Sequence, residues 1–236
     1  MEALIIAAGR GIRLNHHFSP KPLVMVNGHR MIEHIILKAK KAGIDRLRIV
    51  VGFKAEQIMQ TTGTGENLGV KIDYIYNPEW QKGNGISVLA AKEHFRDKFV
   101  LLMADHLFDR GIMDKVLKVQ LEDSRSILCV DRNLSGEHIN IEDATKVWIN
   151  GDKIRNIGKR ITKYNAVDTG IFLYHQSVFD ALEESIAGGK DSLSDANQIL
   201  SDRGKLLPLD VTDHIWIDVD DKEAFFKAKD IVWDEI

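Results

Sequence analysis

The sequence predicts an α/β fold, a mostly parallel sheet flanked by helices, and three observations carry that expectation. Apolar runs of strand length alternate with stretches of helical apolar spacing through the first half of the chain. The first run, Leu4-Ile5-Ile6-Ala7-Ala8, is apolar throughout, as a strand covered on both faces must be. It opens into a glycine-rich loop, Gly9-Arg10-Gly11-Ile12-Arg13-Leu14, followed by Ser19-Pro20-Lys21-Pro22-Leu23. In open sheets of this kind ligands sit at the carboxyl ends of the strands.

The loop can hold an anion. Two glycines let the backbone turn so that successive N–H groups face one point, and Arg10, Arg13 and Lys21 add positive charge there. A guanidinium grips phosphate oxygens in pairs and an ammonium acts as a point charge. Two familiar glycine motifs are excluded. The dinucleotide fingerprint needs a third glycine where Leu14 stands, and a P-loop needs Gly-Lys-Ser/Thr directly after its glycines, whereas Lys21 comes later between two prolines.

Further along, Met31, Ile32, Ile35, Ile36, Ala39 and Ala42 recur at helical spacing up to Gly43, and Leu47–Val51 is the second strand. A helix near 54–60, a polar loop over 61–69, and a strand with Val70, Ile72, Tyr74 and Tyr76 alternating follow. A helix over 85–95 and a strand over 99–103 complete the parallel set, which places the Gly9 loop and Asp105 on one rim. The second half is richer in strands, over 126–130, 145–149, 154–157 and 170–174, with Asn150-Gly151-Asp152 as a tight hairpin turn. Helices near 176–187 and 193–203, strands over 205–211 and 215–217, and a closing helix from Lys222 to Trp233 with Ala224, Phe225, Ala228 and Ile231 on one stripe end the chain.

Composition narrows the function. With 236 residues, 44% of them hydrophobic, the chain can bury one substantial core, so one domain is expected. A net charge of −3 gives no global reason to bind nucleic acid or an anionic membrane, so phosphate affinity must be local. The lone Cys129 excludes an internal disulfide and, within Ile127-Leu128-Cys129-Val130, reads as buried. No run reaches the roughly eighteen apolar residues of a membrane span, and Met1-Glu2 lacks the basic start of a signal peptide. A soluble cytoplasmic chain is expected.

Asp105 follows the strand Phe99–Met103, where a carboxylate on a fixed backbone can face a ligand and hold magnesium; Asp109 is better placed to cap the next helix. His106 is open between touching substrate and packing. Trp216-Ile217-Asp218-Val219-Asp220-Asp221 crowds carboxylates that repel one another unless a cation or a helix N-terminus neutralises them. With Asp221 as a helix cap, Asp218 and Asp220 remain for an ion. Hard carboxylates with phosphate oxygens suit magnesium, and the lack of a Cys/His cluster argues against zinc. The adjacent pair His16-His17 diverges and makes an improbable metal site.

Residues 4–23 match, at every signature position, the A-A-G-x-G-x-R-L and P-K-P-L pattern of the sugar-phosphate nucleotidyltransferases, and the chain resembles that family over essentially its whole length. The resemblance implies a Rossmann-like, glycosyltransferase-A-like mixed sheet with a small β-rich substrate-binding subdomain. Its nucleotide-binding half would span about 1–122 and its substrate-binding half about 123–236. It implies that Ala7, Ala8, Gly9 and Gly11 cover a nucleoside triphosphate, that Arg13 binds its phosphates, and that Lys21 sits at the reacting phosphates. Gly83, Asn84 and Ser87 fall in the family's base-reading segment, although Gly-Asn-Gly is also an ordinary turn signal.

Asp105 aligns with one metal ligand of the family. The W-x-[DE]-x-D ending points to Asp220 as the second, with Asp218 as the alternative. Ile157-Gly158-Lys159-Arg160-Ile161, Tyr164-Asn165, Asp168-Thr169-Gly170-Ile171-Phe172 and Ala144-Thr145-Lys146-Val147 resemble the branch that joins CTP to inositol 1-phosphate. That likeness assigns Lys159 to the substrate phosphate and Asp168, Thr169 and Gly170 to the substrate pocket. The implied activity is a magnesium-dependent cytidylyl transfer. The competing substrates are a sugar 1-phosphate with UTP or dTTP and phosphocholine with CTP, and a non-catalytic nucleotide-binding module is the reading from another class. Members of this branch are often fused to a membrane-embedded CDP-alcohol phosphotransferase that builds an inositol phosphodiester osmolyte. The chain is therefore expected to be a stand-alone enzyme or the soluble part of a fusion, and a homodimer stays open.

Overall fold

The computed structural model describes residues 1–14, 19–122, 124–136 and 139–233, with Ile12 known by its backbone alone; His16 and His17 lie outside the described residues. Strand β1 (Ala3–Ala7) is buried along its whole length. A short turn at Lys21–Leu23, set between Pro20 and a bond from Val24 N–H to Lys21 O, leads into the small hairpin of β2 (Met25–Val26) and β3 (His29–Arg30). Helix α1 (Met31–Lys41) turns Ile32, Ile35, Ile36 and Ala39 onto the sheet, and Gly43 at φ +90° ends it as expected. Then come β4 (Arg46–Val51), α2 (Ala55–Thr62), β5 (Lys71–Tyr76), α3 (Asn84–Leu89) and β6 (Phe99–Met103). After β7 (His106–Phe108), Asp109 caps α4 (Arg110–Lys118) by accepting from Ile112 N–H.

The second half contains β8 (Ser126–Asp131), β9 (Lys146–Asn150), β10 (Lys153–Gly158), β11 (Ala166–Tyr174), α5 (Val178–Ala187), α6 (Leu193–Asp202), β12 (Leu206–Asp210), β13 (Trp216–Asp218) and α7 (Lys222–Asp230). The strands β5, β4, β1 and β6 run parallel in that spatial order. The long β11 then joins antiparallel to β6 and carries β8 and β9 on its other pairings, with β10 beyond β9 and β12 parallel to β8. The β9–β10 turn falls at Gly151-Asp152, with Gly151 at φ +63°.

Apolar clusters cover both faces of the sheet, and a third, around Val26, Met31, Leu107, Ile217 and Ala228, lies beneath β7, β13 and α7. Cys129 is fully buried and burial pushes its thiol far up, which fits a packing role. No helix among the described residues is long and apolar enough to cross a membrane.

Two expectations need correction. The helix expected over 85–95 stops at Leu89 and tightens into a 3₁₀ turn at Lys92–His94, which lets Phe95 leave in an extended conformation and stack on Phe99 at 4.2 Å. Tyr76 points outward at 61% exposure instead of continuing the inward face of β5. That edge strand is covered on one face near its start, by the cluster holding Ile72, and on the other near its end, by the cluster holding Ile75.

Candidate active site

Three chain segments meet where β1 and β6 end. Ala8 O accepts from Phe53 N–H and Ile6 O from Ala104 N–H, so the strand ends are pinned to each other. Val219 N–H donates to Asp105 O at 3.0 Å, and β13 pairs antiparallel with β7 so that Asp218 stands opposite His106. Lys21 reaches this junction from the turn after the glycine loop. Gly11, at φ +60°, lets it pass: a Cβ there would lie 2.6 Å from the Lys21 Cβ.

Lys21 is 4% exposed. Its Nζ donates to Asp105 Oδ2 at 2.7 Å and to Asp220, and lies 3.7 Å from Asp218 Oδ1. Burial opposes its charge, but the three carboxylates outweigh burial and hold the ammonium firmly protonated. Burial likewise opposes ionisation of Asp105, and Lys21 and His106 overcome it, keeping the carboxylate well below the usual range. His106 donates from Nδ1 to Asp105 Oδ1 at 3.0 Å, with Nε2 3.8 Å from Asp218 Oδ2. Against the cost of burial, Asp218 and Asp105 raise its pKa to about 9. Trp216 stacks parallel on the His106 ring and anchors its own indole N–H on Asp131 Oδ2 at 2.8 Å.

Asp218 is the group left short of partners. Its Oδ1 is buried and accepts no hydrogen bond from the described residues, and burial, with the charges of Asp105 and Asp220, pushes its pKa up to about 7 against His106 and Lys21. Asp105, His106 and Asp218 offer ligand atoms within 4.8 Å of one another and could hold a metal ion. Two of these three donors are carboxylates, which suit a hard cation. Asp220, placed first by the sequence, pairs with Arg13 and shares Lys21 with Asp105; Asp218, its alternative, lies in one cluster with Asp105. Asp221 caps α7 by accepting from Ala224 N–H at 2.8 Å.

A cavity of about 540 Å³ opens in front of this junction and is lined by Arg13, Asn84, Asp105, His106, Lys159, Asp168, Gly170, Asp218 and Asp220. Residues 139–145 form one wall. Lys159 stands at solvent with its side chain 56% exposed, and its Nζ donates to Asp143 Oδ1 at 2.8 Å. The other oxygen of Asp143 takes Arg13. Burial works against the Asp143 charge, yet Lys159 and Arg13 bring its pKa down to about 2. Lys146 Nζ donates to Lys159 O at 3.1 Å and so fixes the turn that carries Lys159.

Asp168 accepts from Gly170 N–H at 2.7 Å, and burial raises its pKa to about 6. Gly170 sits at φ +75° in the irregular stretch of β11, and a Cβ on it would lie 2.5 Å from the His106 ring.

Other expected site residues have partners elsewhere. Thr169 is fully buried with its hydroxyl donating to Cys129 O, away from the cavity. Gly83 N–H donates to Asp191 Oδ2, Asn84 Oδ1 accepts from Leu193 N–H, and the Ser87 hydroxyl is buried against Asn77 Nδ2 at 2.9 Å. Of these three only Asn84 lines the cavity. Arg10 leaves the loop to lie over the Phe53 ring at 5.5 Å. Ala7 and Ala8 are buried beneath the loop, and Gly9 is open, with nothing within 4 Å of a Cβ placed there. Sequence reasoning did not find Asp143, and its only signal was an acidic residue just before Ala144-Thr145-Lys146-Val147.

The carboxyl rim of the parallel sheet, where such sheets take their ligands, thus gathers a buried lysine, an arginine and three carboxylates beside an open cavity. The chain belongs to the family described as the MobA-like NTP transferase domain, which matches residues 3–201. It is 31% identical over 229 residues to a bifunctional IPC transferase and DIPP synthase of Aquifex aeolicus, covering 96% of this chain and 50% of that protein. A protein of the same name from Archaeoglobus fulgidus is 32% identical over 232 residues, covering 97% of this chain and 43% of its own length. The chain thus spans about half the length of these relatives. The solved inositol-1-phosphate CTP transferase from T. maritima superposes with a TM-score of 0.84 at 27% identity, covering 98% of this chain and 97% of that one.

Proposed function

We propose that this chain condenses CTP with inositol 1-phosphate to give CDP-inositol and pyrophosphate. The observation that carries the reading is the placement of Lys21, Arg13 and Lys159 at one site, two of them lining a cavity that Asp105 and Asp218 also reach. Similarity to an inositol-1-phosphate CTP transferase over nearly the whole of both chains supports the choice of substrates.

In this reading an oxygen of the inositol phosphate attacks the α-phosphorus of CTP, the bond to the bridging oxygen breaks, and pyrophosphate leaves. A phosphate monoester is already anionic at neutral pH, so the protein needs no covalent intermediate; its task is alignment and charge neutralisation. Gly9 and Gly11 present backbone N–H groups to the triphosphate, with Ala7 and Ala8 as their support. Arg13 pairs with its phosphates, Lys21 holds the reacting phosphates, and Lys159 holds the phosphate of inositol. Asp168 and Gly170 border the polyol, Thr169 keeps their strand in place, and Asn84 borders the base, with Gly83 and Ser87 holding its segment through Asp191 and Asn77. Asp105 and Asp218 would hold a divalent cation, magnesium by the hardness of the donors, with Asp220 beside it; when bound, the ion offsets negative charge on the phosphates. The nucleotide half is about 1–122 and the substrate half about 123–236. The enzyme works in the cytoplasm, either alone or joined to a membrane-embedded CDP-alcohol phosphotransferase that uses its product.

The test is pyrophosphate release with CTP, UTP, dTTP and ATP against inositol 1-phosphate, glucose 1-phosphate and phosphocholine. Turnover is expected to be fastest for CTP with inositol 1-phosphate, because a pocket built for one pyrimidine edge leaves buried groups unpaired with another. Faster turnover of a sugar phosphate or of phosphocholine would refute the substrate assignment.

A further inference from the structure

The ion pairs of the site form a chain of alternating charge, from Lys159 through Asp143, Arg13, Asp220 and Lys21 to Asp105. Asp143 alone has no part in the proposed reaction. Its two oxygens are divided between the cations assigned to different substrates, Oδ1 on Lys159 and Oδ2 on Arg13.

The turn beneath Asp143 does not depend on these pairs. Asn140 O accepts from Asp143 and Ala144 N–H, Asn140 Oδ1 accepts from Glu142 N–H, and Ile139, Ile141 and Ala144 pack against the core. The backbone therefore presents the carboxylate, whose side chain is 29% exposed and has solvent beside it. Without an anion between them Arg13 and Lys159 would repel each other across the cavity.

We infer that Asp143 is a positioning residue that stands in for phosphate, holding Arg13 and Lys159 in place until the substrate phosphates displace it, and that it couples the two subsites. The inference rests on the assignment of Arg13 to the nucleotide and Lys159 to the second substrate. Phosphate on Arg13 removes one of the two partners of Asp143, so the second phosphate competes at Lys159 with a carboxylate held on one side only. Each substrate then favours the other, by the same factor in both directions.

Calorimetric titration of the full chain tests this with α,β-methylene CTP and inositol 1-phosphate, each alone and each in the presence of the other. In the wild type each ligand is expected to tighten the other. Asp143→Asn should bind each ligand alone about two- to fivefold more tightly, the range set by an exposed ion pair, and should lose the coupling. Asp143→Glu should restore coupling, and Asp143→Ser serves if the amide variant does not fold. Unchanged or weaker binding of single ligands to the variant, coupling that survives in it, or no coupling in the wild type overturns the inference. A wild type that binds neither ligand refutes the substrate assignment instead. Inorganic pyrophosphate then decides the role of Asp143: tighter binding by Asp143→Asn sustains it, equal or weaker binding overturns it.

Discussion

Behind the cavity Lys21 is 4% exposed and meets three carboxylates, whereas at the solvent edge Lys159 is 56% exposed and meets one. The same side chain serves two purposes because its surroundings differ. A buried ammonium cannot leave its partners, since its removal leaves three neighbouring carboxylates to repel one another. An exposed pair exchanges readily with solvent or ligand and contributes little to stability. The inner group is thus a fixed frame for chemistry and the outer group a replaceable contact.

The largest effect should come from breaking the frame. Lys21→Ala is expected to abolish turnover and to lower the unfolding free energy by roughly 3–5 kcal/mol, as for a broken buried pair. Denaturant melting checks the second part, and unchanged stability would erase the contrast with Lys159. Next are the carboxylates. Asp105→Asn and Asp218→Asn should each slow turnover by about a thousandfold, in line with losing several kcal/mol of charge stabilisation. Asp220→Asn should cost less, about a hundredfold, the weakening of two charge-assisted contacts, to Arg13 and to Lys21. Rates measured across a magnesium series decide the order, and a reversal would return the second ligand position to Asp220.

A smaller and more selective change is expected at the outer end. Lys159→Ala should raise KM for inositol 1-phosphate by about tenfold, the loss of one charge-assisted contact, with KM for CTP nearly unchanged. Arg13→Ala should do the opposite, while stability moves by less than about 1 kcal/mol in Lys159→Ala. Equal changes in both constants for both variants would sink the division of labour.

The smallest effect concerns a third setting, burial that the charge of His106 offsets only in part. Burial raises the Asp168 carboxyl to about 6 from 3.8. Between those values the native chain keeps a proton that the unfolded chain has shed, so stability from this group falls as pH rises from 3.8 to 6 and stays low above it. Asp168→Asn keeps an oxygen for the Gly170 N–H and should raise the melting temperature at pH 8 by about 2–4 °C per kcal/mol recovered. The gain should shrink as pH approaches 4.

Much of this layout was readable before any coordinates. The all-apolar Leu4–Ala8 run, the glycines after it and the proline-fenced Lys21 announce a buried strand and an anion loop because each residue type has few other uses in that order. Asp109 and Asp221 were legible as caps because helix N-termini need side-chain acceptors. The position of Asp218 opposite His106 was not legible, since it depends on how three-residue strands pair across more than a hundred positions, and periodicity says nothing at that length. Asp143 was hidden for a related reason: its partners lie 130 and 16 residues away, on segments that meet only in the folded chain. Thr169 shows the reverse case. Its neighbours Asp168 and Gly170 line the cavity, and strand alternation sends the side chain between them to the opposite face.

Gly170 also constrains the gene. Any single-base missense change in a glycine codon introduces a residue with a Cβ, and here that atom would press on the ring of His106 at 2.5 Å from a backbone at φ +75°. The clash needs no new charge and removes none, so a lineage could silence this enzyme in one mutational step while every ionisable residue of the site remained in the reading frame. Among homologous chains, a side chain at this position would mark loss of catalysis that a survey of charged residues alone would miss.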